Sequence, residues 1–320
     1  AQANSSNTFK LHPIPTRAYT IRAMVLRTAL LILLISDALA EQQEVAECPR
    51  RSLVQLTHGI RHVVANDDAK LMSEVESLGF ISEPDEVWLK RKHIHMSQMR
   101  KEASHRHDCD NCKNGRQWFQ THYEPSFHCE LEERIGNMGD GGKWVCNPSR
   151  IASLAKNGQR CLIYSVGSSG DFSFEQSVLQ DISPSCEIHT FDPAKEGTWK
   201  VPENVKYHSV ALGLTSPKRT LSSLVKELGH VGQRIDLFKI DCEFCEWDTY
   251  ETWLGSGVNI GQILVEMHWR QNPETIHRMF DFLTKNGYVV FNKEPNTMGC
   301  GGECIEYSFL KLDPTFHQEV

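Results

Sequence analysis

From Arg160 onward the chain alternates between short apolar runs and amphipathic segments, and this rhythm restricts the fold more than any other feature. "CLIYSV" reads as a strand ending at Gly167, and "DFSFEQSVLQDI" as the helix after it. "CEIHTFD" and "VKYHSVALG" are two more strands, and "TLSSLVKELG" is a helix closed by Gly229. "IDLFKID" is a fourth strand, "EWDTYETWL" a helix and "QILVEMHW" a fifth strand. "PETIHRMFDFLTKNG" is a helix with Pro273 at its start and Gly287 past its end. Strands joined by crossover helices form right-handed βαβ units and a parallel sheet. "YVVFNKE" and "CIEYSFLKL" have no helix between them, so the last strand should return antiparallel. The expected fold over residues 116–320 is α/β and Rossmann-like: a seven-stranded, mostly parallel sheet with an antiparallel last strand.

Residues 41–115 are polar and helical in style, and are expected to form an N-terminal helical stem. "DAKLMSEVESLGF" places Leu71, Val75 and Leu78 on one helix face. Pro84 opens a second helix running to about Ala103, with Ser82 as its cap. Its basic second half (Lys90, Arg91, Lys92, Arg100, Lys101) reads as a solvated surface. Upstream, Met24 begins "MVLRTALLILLISDALA". Arg27, an apolar run from Ala29 to Ile35, and Ala38-Leu39-Ala40 follow the charged, apolar, small-x-small order of a signal peptide over 24–40. The run is short for a bilayer and Asp37 interrupts it, so cleavage after Ala40 is favoured over an uncleaved signal anchor. The polar residues 1–23 read as an upstream extension. The expected location is the secretory pathway, secreted or lumenal, with the membrane reached only through an uncleaved signal segment.

Eleven cysteines agree with an oxidising compartment. "HRHDCDNC" brings His105, His107, Cys109 and Cys112 together, a spacing that suits zinc or a disulfide. Cys242-x2-Cys245 and Cys300-x3-Cys304 pose the same choice. Disulfides are preferred, with partners open, and no metal is expected. Eleven is odd, so one thiol is left over. A net charge of −7 argues against a protein that coats nucleic acid, and no nucleic-acid partner is expected.

In sheets of this kind a ligand sits beyond the carboxyl ends of the strands, at the switch point. Three segments converge there. In "YSVGSSGDFSFE", Gly167 and Gly170 allow a sharp turn and a close backbone approach, with Ser168 between them. A plain strand-to-helix turn would use the same glycines. A pyrophosphate-binding G-x-G-x-x-G is missing, which disfavours an NAD enzyme. In "IHTFDP", Asp192 ends the second strand, where a carboxylate can accept two hydrogen bonds from a ribose diol. A surface Asp before a turn-forming Pro193 is the plainer alternative. In "IDLFKIDCEFCEWD", Asp241 ends the fourth strand, with Glu243 and Glu246 close behind. Either glutamate can instead serve the next helix N-terminus, where its dipole favours negative charge. His268 ends the fifth strand and suits deprotonation of a substrate hydroxyl, or a structural hydrogen bond. The glycine-rich "RIGNMGDGGKWVC" carries Asp140 and Lys143 and reads equally as a flap over the ligand or a buried connector.

"GDGGKWVC", "VGSSGDFSFE", "TFDP" and "FKIDCEFCEW" together resemble the methyltransferase-like protein 24 family, itself similar to FkbM-type methyltransferases, over roughly Trp118 to Leu312. The resemblance implies a class I S-adenosylmethionine fold. It places Gly167, Ser168, Gly170 and Asp192 on the cofactor and Asp241 near the transferred methyl. Two positions depart from the pattern. Phe244 stands where the FkbM-type block has glycine, and Ser165 stands where an acidic residue commonly precedes the first glycine by two positions. The implied reaction is O-methylation by direct displacement, with Asp241 and His268 as the catalytic candidates and a small-molecule, glycan or lipid acceptor. The alternative is a secreted, catalytically inactive binding protein of the same fold.

Overall fold

The computed structural model describes residues 70–109, 111–112, 115–269, 272–301 and 303–318. The upstream extension, the signal segment at 24–40 and the first part of the expected stem lie outside the described residues. No helix among the described residues is long and apolar enough to cross a membrane.

The expected rhythm of elements is present. Among the described residues three helices come first: α1 (Met72–Glu76), α2 (Asp85–His105) and α3 (Gly115–Thr121). A two-stranded antiparallel hairpin follows, β1 (Glu132–Ile135) and β2 (Lys143–Cys146), and then α4 (Pro148–Lys156). The main sheet begins at β3 (Leu162–Val166) and continues with α5 (Ser173–Ser177), β4 (Glu187–Asp192), β5 (Val205–Ser209), α6 (Leu221–Glu227), β6 (Arg234–Ile240), α7 (Cys245–Trp253), β7 (Asn259–His268), α8 (Pro273–Lys285), β8 (Tyr288–Asn296) and β9 (Cys304–Lys311).

The seven strands lie in the order β5-β4-β3-β6-β7-β9-β8. β3 to β7 pair in parallel. β9 inserts between β7 and β8 and runs antiparallel to both. This is the α/β, Rossmann-like class I methyltransferase arrangement. Side chains alternate between the two faces, as the twofold period of a strand requires. Leu162, Tyr164 and Val166 enter one apolar core with Phe238 and Ile263, while Ile163 enters the other with Leu237 and Leu264. Order reverses at β3, which lies between β4 and β6, so the switch point opens beside Gly167.

The N-terminal helices depart from the expected stem. Val75 of α1 and Leu78 just past its end are about half exposed, whereas Ser73 and Glu76 are buried. Polar contacts dock this short turn. Ser73 Oγ donates to Glu83 O and accepts from Glu83 N. Ser82 does not cap α2, because its hydroxyl donates to Glu74. The helix α2 is not a solvated rod. Trp88, Lys92 and His95, at i, i+4 and i+7, form a buried stripe. Lys92 lies within the basic run, yet its ammonium is enclosed, 2.8 Å from Glu76 and 3.0 Å from the carbonyl of Thr315. Two of the three buried residues are polar, which is why hydrophobic periodicity did not mark this face.

His95 bonds Ser126 Oγ (3.0 Å) and His317 Nδ1 (2.9 Å). Burial and the neighbouring His317 push its imidazole down to about 3, and burial pushes His317 down to about 4. A depressed histidine contributes stability in full above its unfolded value near 6.5, and loses it as pH falls toward the folded value. Between pH 6.5 and 4 the wild-type unfolding free energy should therefore drop by about 1 kcal/mol per pH unit more than that of His95→Gln. Urea melts at three pH values measure this; parallel slopes for the two proteins would contradict a neutral, buried His95.

Ten cysteines pair among the described residues, as Cys109–Cys112, Cys129–Cys146, Cys161–Cys186, Cys242–Cys245 and Cys300–Cys304. Cys161–Cys186 ties the start of β3 to the start of β4, and Cys129–Cys146 fastens the hairpin to the segment before it. The remaining cysteine, Cys48, lies outside the described residues.

Candidate active site

Beyond the carboxyl ends of β3, β4, β6 and β7 lies an open cleft of about 1390 Å³. Ligand pockets commonly hold roughly 300–1,000 Å³, so this volume has room for a nucleoside and a second molecule. All the residues singled out for the cofactor border this edge or support it.

The bend after β3 is built under tight steric limits. Gly167 has φ +78°, and a Cβ there would lie 1.7 Å from the carbonyl oxygen of Asp241. Its own carbonyl accepts from Lys239 Nζ at 2.7 Å. Gly170 has φ +87°, and a Cβ there would meet the Trp199 ring at 2.6 Å. Asp192 closes the bend from β4. Its Oδ2 accepts from the backbone N–H groups of Ser168 (3.0 Å) and Ser169 (2.8 Å), and its Oδ1 from Ala194 N (2.9 Å). Burial acts to raise the Asp192 carboxyl, but these three backbone donors hold it below the usual carboxylate range. It is an anion at neutral pH with acceptor capacity left over. Ser165, two positions before Gly167, is wholly buried, and its hydroxyl has no hydrogen-bond partner among the described residues.

Asp241 lies where β6 ends, and the chain then turns through Glu243 and Phe244 into α7. Both turn residues are left-handed, at φ +53° and +77°. The backbone thus keeps a glycine-like bend although Phe244 fills the position, and the Cys242–Cys245 bridge spans it. The Phe244 ring, about half exposed, faces the His268 ring at 5.1 Å. Glu246 does belong to the first turn of α7, yet it is fully buried. It accepts from both His268 N (2.9 Å) and His268 Nδ1 (3.0 Å). Glu243 approaches His268 Nε2 at 3.3 Å. Burial opposes protonation of His268, but Glu246 first, then Glu266 and Glu243, push its imidazole up to about 9. His268 lines the cleft as expected, but as an imidazolium it already holds a proton, so this arrangement does not suit a base that must take one.

The glycine-rich connector divides between its two readings. Asp140 and Gly141 face the cleft. Lys143 is fully buried, 2.6 Å from Glu306 Oε1 and 3.3 Å from Asp241 Oδ2. Lys143 and Lys239 hold Asp241 below its ordinary range against the effect of burial. Glu266 completes the group, its Oε1 accepting from Asn296 Nδ2 at 2.8 Å. Glu266, Glu306, Lys239 and Trp199 escaped the sequence reading. For three of them a signal was present: a charged residue in the middle of an otherwise apolar strand is costly unless it is paired.

Among the described residues, three side-chain clusters have donor spacing short enough for a cation. The chain's own groups engage each of them. Glu187 binds Arg160, Lys206 and His189. Cys304, beside Glu266 and His268, is bridged to Cys300. Lys143 sits between Asp241 and Glu306.

A family model described as a methyltransferase domain matches residues 71–311. No curated protein matches the chain. Among solved structures, a ribosomal RNA methyltransferase from Plasmodium falciparum is 13% identical, with 52% of this chain and 96% of that one covered and a TM-score of 0.33. An RNA methyltransferase from Pyrococcus horikoshii is 14% identical, covering 51% and 82%, at a TM-score of 0.27. The plantazolicin methyltransferase BpumL, solved with a monoazolic desmethylPZN analog and SAH, is 9% identical, covering 71% and 98%, at a TM-score of 0.28. The family match spans well over half of the sequence and reaches back to α1, so the chain belongs to this methyltransferase-domain family.

Proposed function

We propose that the domain is an S-adenosylmethionine-dependent methyltransferase that transfers a methyl group to an oxygen of a small-molecule, glycan or lipid acceptor in the secretory pathway. One observation carries the reading: the glycine bend after β3 and the Asp192 carboxylate meet at the open edge of the sheet, joined by two backbone hydrogen bonds. The cleft fits the cofactor in two respects. A side chain at Gly167 or Gly170 would collide with the Asp241 carbonyl or the Trp199 ring and distort the bend at the cleft edge, and the buried indole N–H of Trp199, on the cleft wall, has no partner among the described residues.

S-adenosylmethionine supplies an electrophilic methyl on a sulfonium, which a nucleophilic oxygen displaces in line. The residues of this chain bind and orient. Asp192 accepts from the ribose diol, while Gly167, Ser168 and Gly170 let the backbone approach. Asp241 presents negative charge toward the sulfonium. The cleft walls limit water around the reacting atoms. The four motif blocks support a place near the methyltransferase-like protein 24 and FkbM-type enzymes. The five disulfides agree with an oxidising lumen and with a signal segment at 24–40. The acidic balance favours acceptors other than nucleic acid.

Calorimetric titration with S-adenosylmethionine, S-adenosylhomocysteine and NAD tests the reading. Wild type should bind the first two and not NAD. Asp192→Ala should weaken them by about 10- to 100-fold, the worth of a charge-assisted pair of hydrogen bonds. A folded wild type that ignores S-adenosylmethionine, or prefers NAD, would sink it.

A further inference from the structure

Four elements send charged side chains into one spot beneath the cleft: Asp241 after β6, Glu266 from β7, Glu306 from β9 and Lys143 from β2. Oxygens of the three carboxyls lie within 4.8 Å of one another. Lys239 of β6 is the second cation nearby, and its ammonium is engaged by the carbonyl of Gly167. Three carboxyls face two ammoniums; the His268 imidazolium, also close to Glu266, is already paired by Glu246 and Glu243, so one negative charge stays in excess at this mostly buried spot. Like charges at this spacing cannot all ionise, and one carboxyl keeps its proton.

The contacts identify which one. Burial raises the Glu306 carboxyl as well, but Lys143 holds it at 2.6 Å, and Lys143 also holds Asp241 at 3.3 Å. Among the described residues Glu266 makes no ion pair with either lysine, and its Oε1 accepts from the neutral amide of Asn296. Asp140, from the hairpin loop, also bonds Asn296, at 3.0 Å, and adds to the negative side. His268 stands two residues further along β7 as an imidazolium. Burial first, then Asp241 and Glu306, push the Glu266 carboxyl up to about 8 against the pull of Lys143. The protonated carboxyl donates to Asp241, the neighbour held most firmly as an anion. Glu266 also lines the cleft, where the reacting atoms would lie.

We propose that Glu266 is the proton acceptor of the methyl transfer, kept as a neutral acid in the open cleft and converted to a carboxylate when a cationic sulfonium enters. This rests on S-adenosylmethionine being the cofactor. The arriving positive charge restores the balance that the proton had supplied, and the proton leaves to solvent. In the transfer itself the acceptor O–H gives its proton to Glu266 while the oxygen electron pair forms the new O–C bond. The C–S bond breaks with its electrons returning to sulfur, leaving neutral S-adenosylhomocysteine. Loss of the sulfonium charge then returns the cluster to its proton-holding state.

Calorimetry at pH 7 in buffers of different ionisation enthalpy counts the protons exchanged on binding. Wild type should release roughly 0.5–0.9 proton with S-adenosylmethionine, falling toward zero by pH 9. S-adenosylhomocysteine has the same amino-acid end but a neutral sulfur, and should release little. Glu266→Gln keeps the Asn296 contact and should bind S-adenosylmethionine with that release abolished. Equal release with both ligands, or release unchanged in Glu266→Gln, overturns the proposal while leaving the cofactor reading intact. Absence of any binding heat in folded wild type removes the cofactor reading and this proposal together. If Glu266→Gln does not fold, the two-ligand comparison on wild type decides alone.

Discussion

Replacing Gly167 with alanine is expected to destabilise the domain by about 2–5 kcal/mol and to abolish binding of S-adenosylmethionine. Two costs add. The residue holds φ +78°, a left-handed conformation that a Cβ penalises by roughly 1–2 kcal/mol. The added methyl would also lie 1.7 Å from the Asp241 carbonyl, which is backbone and cannot rotate aside. Either the bend or the end of β6 must shift: the first separates Asp192 from the N–H groups of Ser168 and Ser169, and the second displaces Asp241 at the cleft. Gly170→Ala provides the contrast. Its Cβ meets a side chain, the Trp199 ring at 2.6 Å, so the loss in stability should be smaller although the cleft narrows. Urea melts and calorimetry separate the two effects. A Gly167→Ala protein within about 0.5 kcal/mol of wild type that still binds would show that the bend does not pack beneath Asp241.

The main sheet could be read from the chain because most of its strands are apolar and every crossover but one carries a helix; the exception is β4 to β5, where β5 is the polar VKYHS and the pair is parallel with no helix between. β9, for example, is expected to run antiparallel because no helix separates it from β8, and it pairs antiparallel with both β8 and β7. The edge of the cleft was readable for a related reason: Gly167, Asp192 and Asp241 all stand at strand ends, and a parallel sheet brings strand ends together. The roles beneath that edge were not readable, because they depend on which charges meet across strands. Glu266, Glu306 and Lys143 are far apart in sequence, and only the β7–β9 register and the placement of the β1–β2 hairpin join them. His268 shows the same limit. Its place at the end of β7 was evident, but its charge is set by Glu246, which reaches it from the first turn of α7. In α2, finally, the buried stripe is mostly polar, so a rule keyed to apolar spacing passes over it.

Trp88→Ala tests that last point, and it is expected to cost about 3–5 kcal/mol. The indole is wholly buried, packed at 5.2 Å from Phe316 and 6.1 Å from Phe127 between ring centroids. Its Nε1 donates to Glu76 Oε2 at 2.5 Å. Truncation therefore leaves a large cavity and takes one partner from a buried carboxylate, leaving Lys92 to compensate it. A chain starting at residue 116 loses more. Phe127 and Phe316 become exposed, and Glu76 no longer receives the N–H of Asp313 through its carbonyl. Such a fragment should fail to melt cooperatively at the temperature of the full chain. A cooperative transition for the fragment at the full-chain temperature would return α2 to the role of a stem. The consequence also reaches the cleft. Arg91 of α2 grips Glu83 at 2.7 Å and donates to the carbonyl of His128, in the segment that leads into the β1–β2 hairpin. That hairpin delivers Lys143 to Asp241 and Glu306. Loosening α2 should thus weaken the cation that holds Asp241 ionised, so that Trp88→Ala loses affinity for S-adenosylmethionine although the indole touches no residue of the cleft.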